Sequence, residues 1–139
     1  MINNINIDSL KEFNELGLLV NSNFLNIYKL EDILSNEYDY LYGYYLDDKL
    51  VAFIHVNKLY EVMDIVNVVV NPSYRKKGIA TKLIEYAMSQ FDDLKSIMLE
   101  VNENNSNAIS LYNKNNFKVI NKRNNYYGSE AALIMKRDV

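Results

Sequence analysis

The chain has 139 residues, 49% hydrophobic and 24% charged, with a formal net charge of −3; this fits one globular domain over residues 1–139 and excludes a disordered chain. It has no cysteine and one histidine, His55, which rules out disulfides, thiolate metal sites, cysteine nucleophiles and paired imidazoles, so no metal is expected. The small charge, the lack of any apolar run near the ~20 residues of a membrane helix and the absence of a basic-then-apolar N-terminus predict a cytoplasmic protein, with neither nucleic acid nor membrane as partner.

Met1–Asn6 alternates weakly, as an edge strand does. Asp8 or Ser9 can cap a helix carrying Leu10, Phe13, Leu16 and Leu19 at helical spacing, and a second short helix covers Leu30–Leu34. Tyr40–Leu46 and Leu50–Val56 are apolar runs separated by Asp47-Asp48-Lys49, a hairpin signal. Val62–Val70 is dense in β-branched residues and ends at Asn71-Pro72, because proline cannot continue a strand interior. Ile79, Leu83, Tyr86, Ala87 and Phe91 recur at helical spacing, and Ile97–Val101 reads as a buried strand. Asn105–Asn115 is helical, and Phe117–Ile120 and Ala131–Met135 close the chain as strands. The order predicts an α+β chain whose mixed sheet holds a parallel crossover near its middle.

The stretch from Val68 to Thr81 carries the most chemistry. A buried strand, Val68-Val69-Val70, stops at a proline; Arg75, Lys76 and Lys77 follow, and Gly78 opens a helix. The first turn of a helix leaves N–H groups without partners and its dipole favours negative charge, so the arrangement makes an anion site. Gly78 admits a phosphate close to the backbone, small Ala80 keeps the next turn clear, and Thr81 adds a hydroxyl donor. Neither the Walker spelling nor G-x-G-x-x-G occurs.

The spelling Arg75-x-x-Gly78-x-Ala80 resembles the acetyl-coenzyme A loop of the GCN5-related N-acetyltransferases, Gln/Arg-x-x-Gly-x-Gly/Ala. The resemblance implies that the backbone N–H groups of Arg75–Thr81, Ile79 among them, hold the pyrophosphate, and that Val68, Val69 and Val70 pair with the pantetheine arm. It also implies a twisted, mostly antiparallel sheet with a splayed parallel pair holding the cosubstrate, flanked by about four helices.

Acetyl transfer needs a base for the amine, donors for the oxyanion and an acid for the thiolate. Leu99-Glu100-Val101, followed by Asn105, Ala108, Leu111 and Tyr112, is similar to the second half of the same family, and most similar to the bacterial ribosomal-protein alanine N-acetyltransferases. By that resemblance Glu100 is the general base, Tyr112 the general acid and Asn105 a cosubstrate contact. A phenol of pKa ~10 could be matched to a thiol of ~8.5 by modest tuning. An ion pair alone would also account for Glu100, and Glu61 and Asp64, flanking the preceding strand, are rival bases because other branches of the family place a carboxylate there. Glu103 reads as a solvated loop charge and His55 as an ordinary strand residue.

The tail from Arg123 through Tyr126-Tyr127 to Glu130 resembles the same enzymes, with a Tyr-rich hairpin as the plainer reading. The departures are Ala131 in place of an aspartate, Asn116 in place of a glycine, and no tryptophan within Asn21–Tyr28. The acceptor implied is an amine at a protein N-terminus, a ribosomal protein among them; the alternatives are a small amine, a polyamine or a lysine, and a sensor that binds acetyl-coenzyme A without turnover.

Overall fold

Seven strands form one sheet in the computed structural model, which describes residues 1–139. They are β1 (Ile2–Asn4), β2 (Asp39–Leu46), β3 (Lys49–Leu59), β4 (Val62–Val70), β5 (Ser96–Asn102), β6 (Lys118–Tyr127) and β7 (Glu130–Asp138), in the spatial order β1-β2-β3-β4-β5-β7-β6. Every neighbouring pair is antiparallel except β4–β5, where the chain crosses over through a helix and returns parallel. The helices are α1 (Leu10–Gly17), α2 (Phe24–Ile27), α3 (Leu30–Ser35), α4 (Ile79–Ser89) and α5 (Ser106–Lys114).

Each face of the sheet buries its own core, so the strand alternation has two apolar answers. On one face Leu83, Ile84 and Ala87 of α4 pack with Ile54, Met63, Ile97 and Met135. On the other, Phe13, Phe24 and Leu30 from α1–α3 pack with Leu41, Phe53 and Val69, and the Phe13 and Phe53 rings lie 4.8 Å apart. Each such side chain contributes about 1.5–3 kcal/mol by leaving water.

The chain departs from the expected elements in informative places. α1 ends at Gly17 rather than running to Leu19, and the Phe24 ring packs where a Cβ on Gly17 would sit. α2 is a single turn too short for periodicity to reveal, anchored by fully buried Phe24. Asp47 and Asp48, at φ 50° and 62°, form a two-residue turn between paired Leu46 and Lys49, so Lys49 belongs to β3. Phe117 is a core residue ahead of its strand, and β6 runs on to Tyr127. Every residue of β6 is exposed, since it is held by β7 alone and carries no layer on either face; without burial there is no alternation to read.

Candidate active site

The parallel pair is short. β4 and β5 are in register only from Val62 opposite Ser96 to Ile65 opposite Leu99. Beyond that, β4 continues along β3 to Val70 opposite Ala52, while β5 continues along β7 to Asn102 opposite Ala132. The sheet therefore forks. The cause lies in β4, where Ile65 faces Val56 and Asn67 faces His55, leaving Val66 as a bulge that bends the strand away.

Asn71 donates its N–H to Val51 O at 2.9 Å, so by alternation the backbone groups of Val69 also face β3 and those of Val68 and Val70 face the open fork. Arg75 Nε donates to Val70 O at 3.2 Å, tying the loop to this edge. Val69 is buried against α1–α3, while Val68 and Val70 pack against the α4 core.

Beyond β4, Asn71 Oδ1 accepts from Ser73 N at 2.9 Å and Pro72 starts a single 3-10 turn. Lys76 (φ 63°) and Gly78 (φ 76°) then take left-handed conformations, and α4 begins. The first bond of α4 runs from Lys82 N to Gly78 O, and the N–H groups of Lys76, Lys77, Gly78, Ile79, Ala80 and Thr81 have no partner in the chain. Nothing lies within 4 Å of the position a Cβ would take on Gly78. Unpaired donors at a helix start, open space above them and the Arg75, Lys76 and Lys77 cations fit a pyrophosphate. Thr81 Oγ1 accepts from Asn115 Nδ2 at 3.2 Å, which orients the hydroxyl and leaves its own proton available for the expected donor role.

Tyr112 sits at the C-terminal end of α5, which closes as a Schellman motif: Phe117 N donates to Tyr112 O at 3.0 Å and Asn116 N to Asn113 O at 3.2 Å. Asn116 takes φ 67° where a glycine is usual, and the Phe117 ring meets Tyr112 edge-on at 5.7 Å. Tyr112 is thus pinned through backbone and ring, and its hydroxyl makes no hydrogen bond in the chain. Burial pushes its pKa up to about 12, opposite to the tuning expected from the sequence. With no hydrogen-bond partner to stabilise a phenolate, the hydroxyl stays a donor at every working pH.

Glu100 lies on the opposite face of the sheet, the face carrying α1–α3, and is exposed. Its Oε1 accepts from Arg123 Nη1 of β6 at 2.9 Å. Asp64 of β4 shares this face and makes neither a hydrogen bond nor an ion pair. By surface it is exposed, yet its carboxyl is raised, first by desolvation against the groove wall and then by the Glu100 charge; the direction follows from a like charge and missing partners whatever the degree of burial. A groove of about 440 Å³ opens beside it, lined by Tyr28, Asp32, Asp39, His55, Asn57 and Val66 among others. Its floor is a polar pair: His55 Nε2 lies 3.0 Å from Asp39 Oδ1, which also accepts from Asn57 Nδ2 at 3.0 Å. Desolvation lowers the His55 pKa against the opposing pull of Asp39. Tyr127 is raised by desolvation, then by the nearby charges of Glu100, Tyr126 and Tyr28, which brings the β6–β7 hairpin to the same groove mouth as α2.

Other sequence candidates fall elsewhere. Glu61 pairs with Lys95 at 3.4 Å in the turn before β4, at the closed end of the fork, and faces no groove residue. Glu103 is not a free loop charge: its carboxylate accepts from Ala131 N at 2.6 Å and pairs with Lys122 at 3.3 Å. The Ala131 hydrogen bond, then Lys122, holds its pKa down. Asn105 Oδ1 caps α5 by accepting from Ala108 N at 3.2 Å, which leaves its amide donors free. Asn115, unremarked in the sequence, is buried and donates to Thr81 Oγ1 and to Leu111 O, while its own carbonyl accepts from Arg137. Its only sequence signal was asparagine at a helix end, one among many in an asparagine-rich chain.

The sequence model of the acetyltransferase (GNAT) family matches residues 7–117. A [ribosomal protein bS18]-alanine N-acetyltransferase of Salmonella typhimurium is 30% identical over 95 residues, 64% of this chain and 64% of that protein. An N-alpha-acetyltransferase of Saccharolobus solfataricus is 40% identical over 77 residues, 52% of this chain and 46% of that protein. The chain thus spans less than two thirds of the length of these relatives. Among solved structures, the PaiA N-acetyltransferase of Thermoplasma acidophilum, in complex with coenzyme A, superposes with a TM-score of 0.86 at 22% identity, covering 100% of this chain and 98% of that one. The forked parallel pair, the unbonded helix start beside it and a family match over most of the length make this chain a member of the acetyltransferase (GNAT) family.

Proposed function

We propose that the protein moves the acetyl group of acetyl-coenzyme A to a primary amine, and that this amine is a protein N-terminus, that of a ribosomal protein among them. The observation that carries the transfer reading is the fork: the backbone of Val68 and Val70, not paired to β5, leads directly to the unbonded N–H groups of Lys76–Thr81. Bound there, acetyl-coenzyme A supplies a thioester whose carbonyl accepts an amine. Val70 N–H and its neighbours along the open edge are the donors for the oxyanion. Tyr112 is the acid on the thiol side, and Asn105 turns its free amide donors to the cosubstrate. The carboxylates Glu100 and Asp64 face the amine side of the fork.

The N-terminal acceptor is supported by the names of the relatives in Salmonella and Saccharolobus. A second acceptor class, a polyamine, is favoured by the carboxylates of Asp32, Asp39 and Asp64 along the groove. The deciding experiment is release of free coenzyme A with one acceptor at a time: an alanine-starting ribosomal peptide, the same peptide with a blocked N-terminus, a lysine peptide and a polyamine. Turnover of the free N-terminal peptide alone supports the reading. Turnover only with polyamine or lysine keeps the transferase and replaces the acceptor. Saturable binding of acetyl-coenzyme A with no turnover on any of them removes all four acceptors and leaves either an acceptor outside the panel or a sensor.

A further inference from the structure

The α1–α3 layer holds a second concavity beside the groove that His55 lines. It encloses about 180 Å³, and its apolar lining is Ile7, Leu10, Leu25 and Leu30. These come from four elements: the 3-10 turn Ile7–Ser9, α1, α2 and α3. Leu30 is fully buried, while Ile7, Leu10 and Leu25 are 51%, 41% and 39% exposed, so the chain itself leaves this surface to water. Apolar side chains scattered singly over a surface need no explanation, but four from separate elements converging on one hollow do.

Tyr28 and Lys29 line both concavities, so the cleft continues the groove across the link between α2 and α3. Tyr28 is a fixed wall between them: its ring lies 4.9 Å from Phe24 and meets His55 edge-on at 5.9 Å. The two sides of that wall differ in chemistry. The groove carries the carboxylates of Asp32, Asp39 and Asp64, which attract a cation. The cleft is apolar, and its charged residues, Lys29 and Glu31, are of opposite sign.

We propose that the cleft holds an apolar side chain of a polypeptide acceptor, a short way along the chain from the N-terminal amine that enters the groove. The inference rests on the acetyl-transfer reading above and narrows its acceptor. A chain with a cationic end followed by an apolar side chain matches the two surfaces in order. A polyamine, charged along its length, would leave the cleft empty or set a charge against Leu10 and Leu25. Successive side chains of an extended peptide point to opposite sides, so the cleft selects at one acceptor position and not along the whole segment.

The test walks one leucine down an otherwise polar, alanine-starting peptide and compares it with serine at each position. At one position leucine should lower KM about tenfold, the scale of partly burying one such side chain, with kcat unchanged. Leu10→Ser and Leu25→Ser, on separate helices and each partly exposed, should both reduce that preference to about twofold or less. Leu34→Ser removes another exposed leucine of the same layer, outside the cleft, and should keep the preference. Equal KM for leucine and serine at every position, or a preference that survives both cleft variants, overturns the proposal.

Methyl NMR of the full chain reads the cleft without turnover, using the same peptides acetylated at the N-terminus so that they cannot react. The methyl signals of Ile7, Leu10 and Leu25 should shift with a leucine peptide and stay in place with its serine counterpart. Those shifts in a protein that turns over no acceptor would sink acetyl transfer and leave the docking cleft standing. Turnover of the peptides without the shifts would overturn the cleft and leave the transfer. Shifts of the same methyls on raising the protein concentration alone would assign the cleft to a second copy of this chain, and the proposal would fall.

Discussion

At the residue scale, Tyr112 and Gly78 are each held by geometry that a single atom can test. The Tyr112 ring is fixed by Phe117 and by the Schellman hydrogen bonds, so Tyr112→Phe removes the hydroxyl and leaves the packing. The expected result is a fall in kcat of at least tenfold, within the range for loss of one proton-transfer group, with the Kd for acetyl-coenzyme A nearly unchanged. An unchanged kcat removes the residue from the acid role. Because burial pushes the Tyr112 pKa up to about 12, the phenol should stay protonated and cause no loss of activity from pH 7 to about 11. Full proton transfer to a thiolate is uphill by about 1.4 kcal/mol for each unit by which the phenol exceeds the thiol, so much of its effect is a hydrogen bond to sulfur. Gly78 sits at φ 76° with open space where a Cβ would go. Gly78→Ala therefore meets no clash and pays only the left-handed backbone, about 1–2 kcal/mol, a fall in Tm of about 3–6 °C. A relaxed loop would also raise the Kd for coenzyme A. Differential scanning calorimetry and isothermal titration read the two effects, and no change in either would mean that the left-handed turn is not required.

At the scale of elements, the join between α4 and α5 decides whether the phosphate loop and Tyr112 keep their relative places. Asn115 makes that join, donating to Thr81 Oγ1 at 3.2 Å and to Leu111 O at 2.9 Å from a position only 4% exposed. Asn115→Ala removes the side-chain donor from half-buried Thr81 Oγ1 and Leu111 O, the latter keeping the Asn115 N–H, at a cost of about 1–2 kcal/mol. It should lower kcat and weaken cosubstrate binding together, unlike Tyr112→Phe. Loss of stability with untouched kinetics would limit Asn115 to packing. Elements with a buried face were legible in the sequence: Val62–Val70, the α4 periodicity and Ile97–Val101 all appear close to where they were expected. The loop and Tyr112 were legible because they are spelled by contiguous residues. What could not be read were relations between distant segments. The Arg123–Glu100 pair spans 23 positions and the Glu103–Ala131 bond 28, and only the β5–β7–β6 register brings them together. The extension of β6 beyond the expected Phe117–Ile120 and the whole of α2 were missed for lack of periodicity, one by having no buried face and the other by its length.

At the scale of the whole molecule, the fork is the feature with the widest consequences. A parallel pair that separates after four register positions (Val62–Ile65) leaves backbone donors and acceptors of β4 unpaired in the middle of a sheet, where strands normally satisfy one another. Either water or a ligand must satisfy them. If acetyl-coenzyme A fills the fork, it bonds the native state and not the unfolded chain, so at a hundred times its Kd it adds about 2.7 kcal/mol of stability, which raises Tm by about 6–9 °C in a chain of this size. Hydrogen exchange locates the gain. Protection should rise at Val68, Val70 and Gly78–Thr81, the amides that face the fork or have no partner, and change little in the β1–β2 and β2–β3 ladders, which are already paired. A thermal shift accompanied by protection spread evenly over the sheet would indicate general tightening rather than occupation of the fork. Protection confined to the groove beside His55 would place the cosubstrate on the wrong face, and with it the proposed division between a thiol side at Tyr112 and an amine side at Asp64.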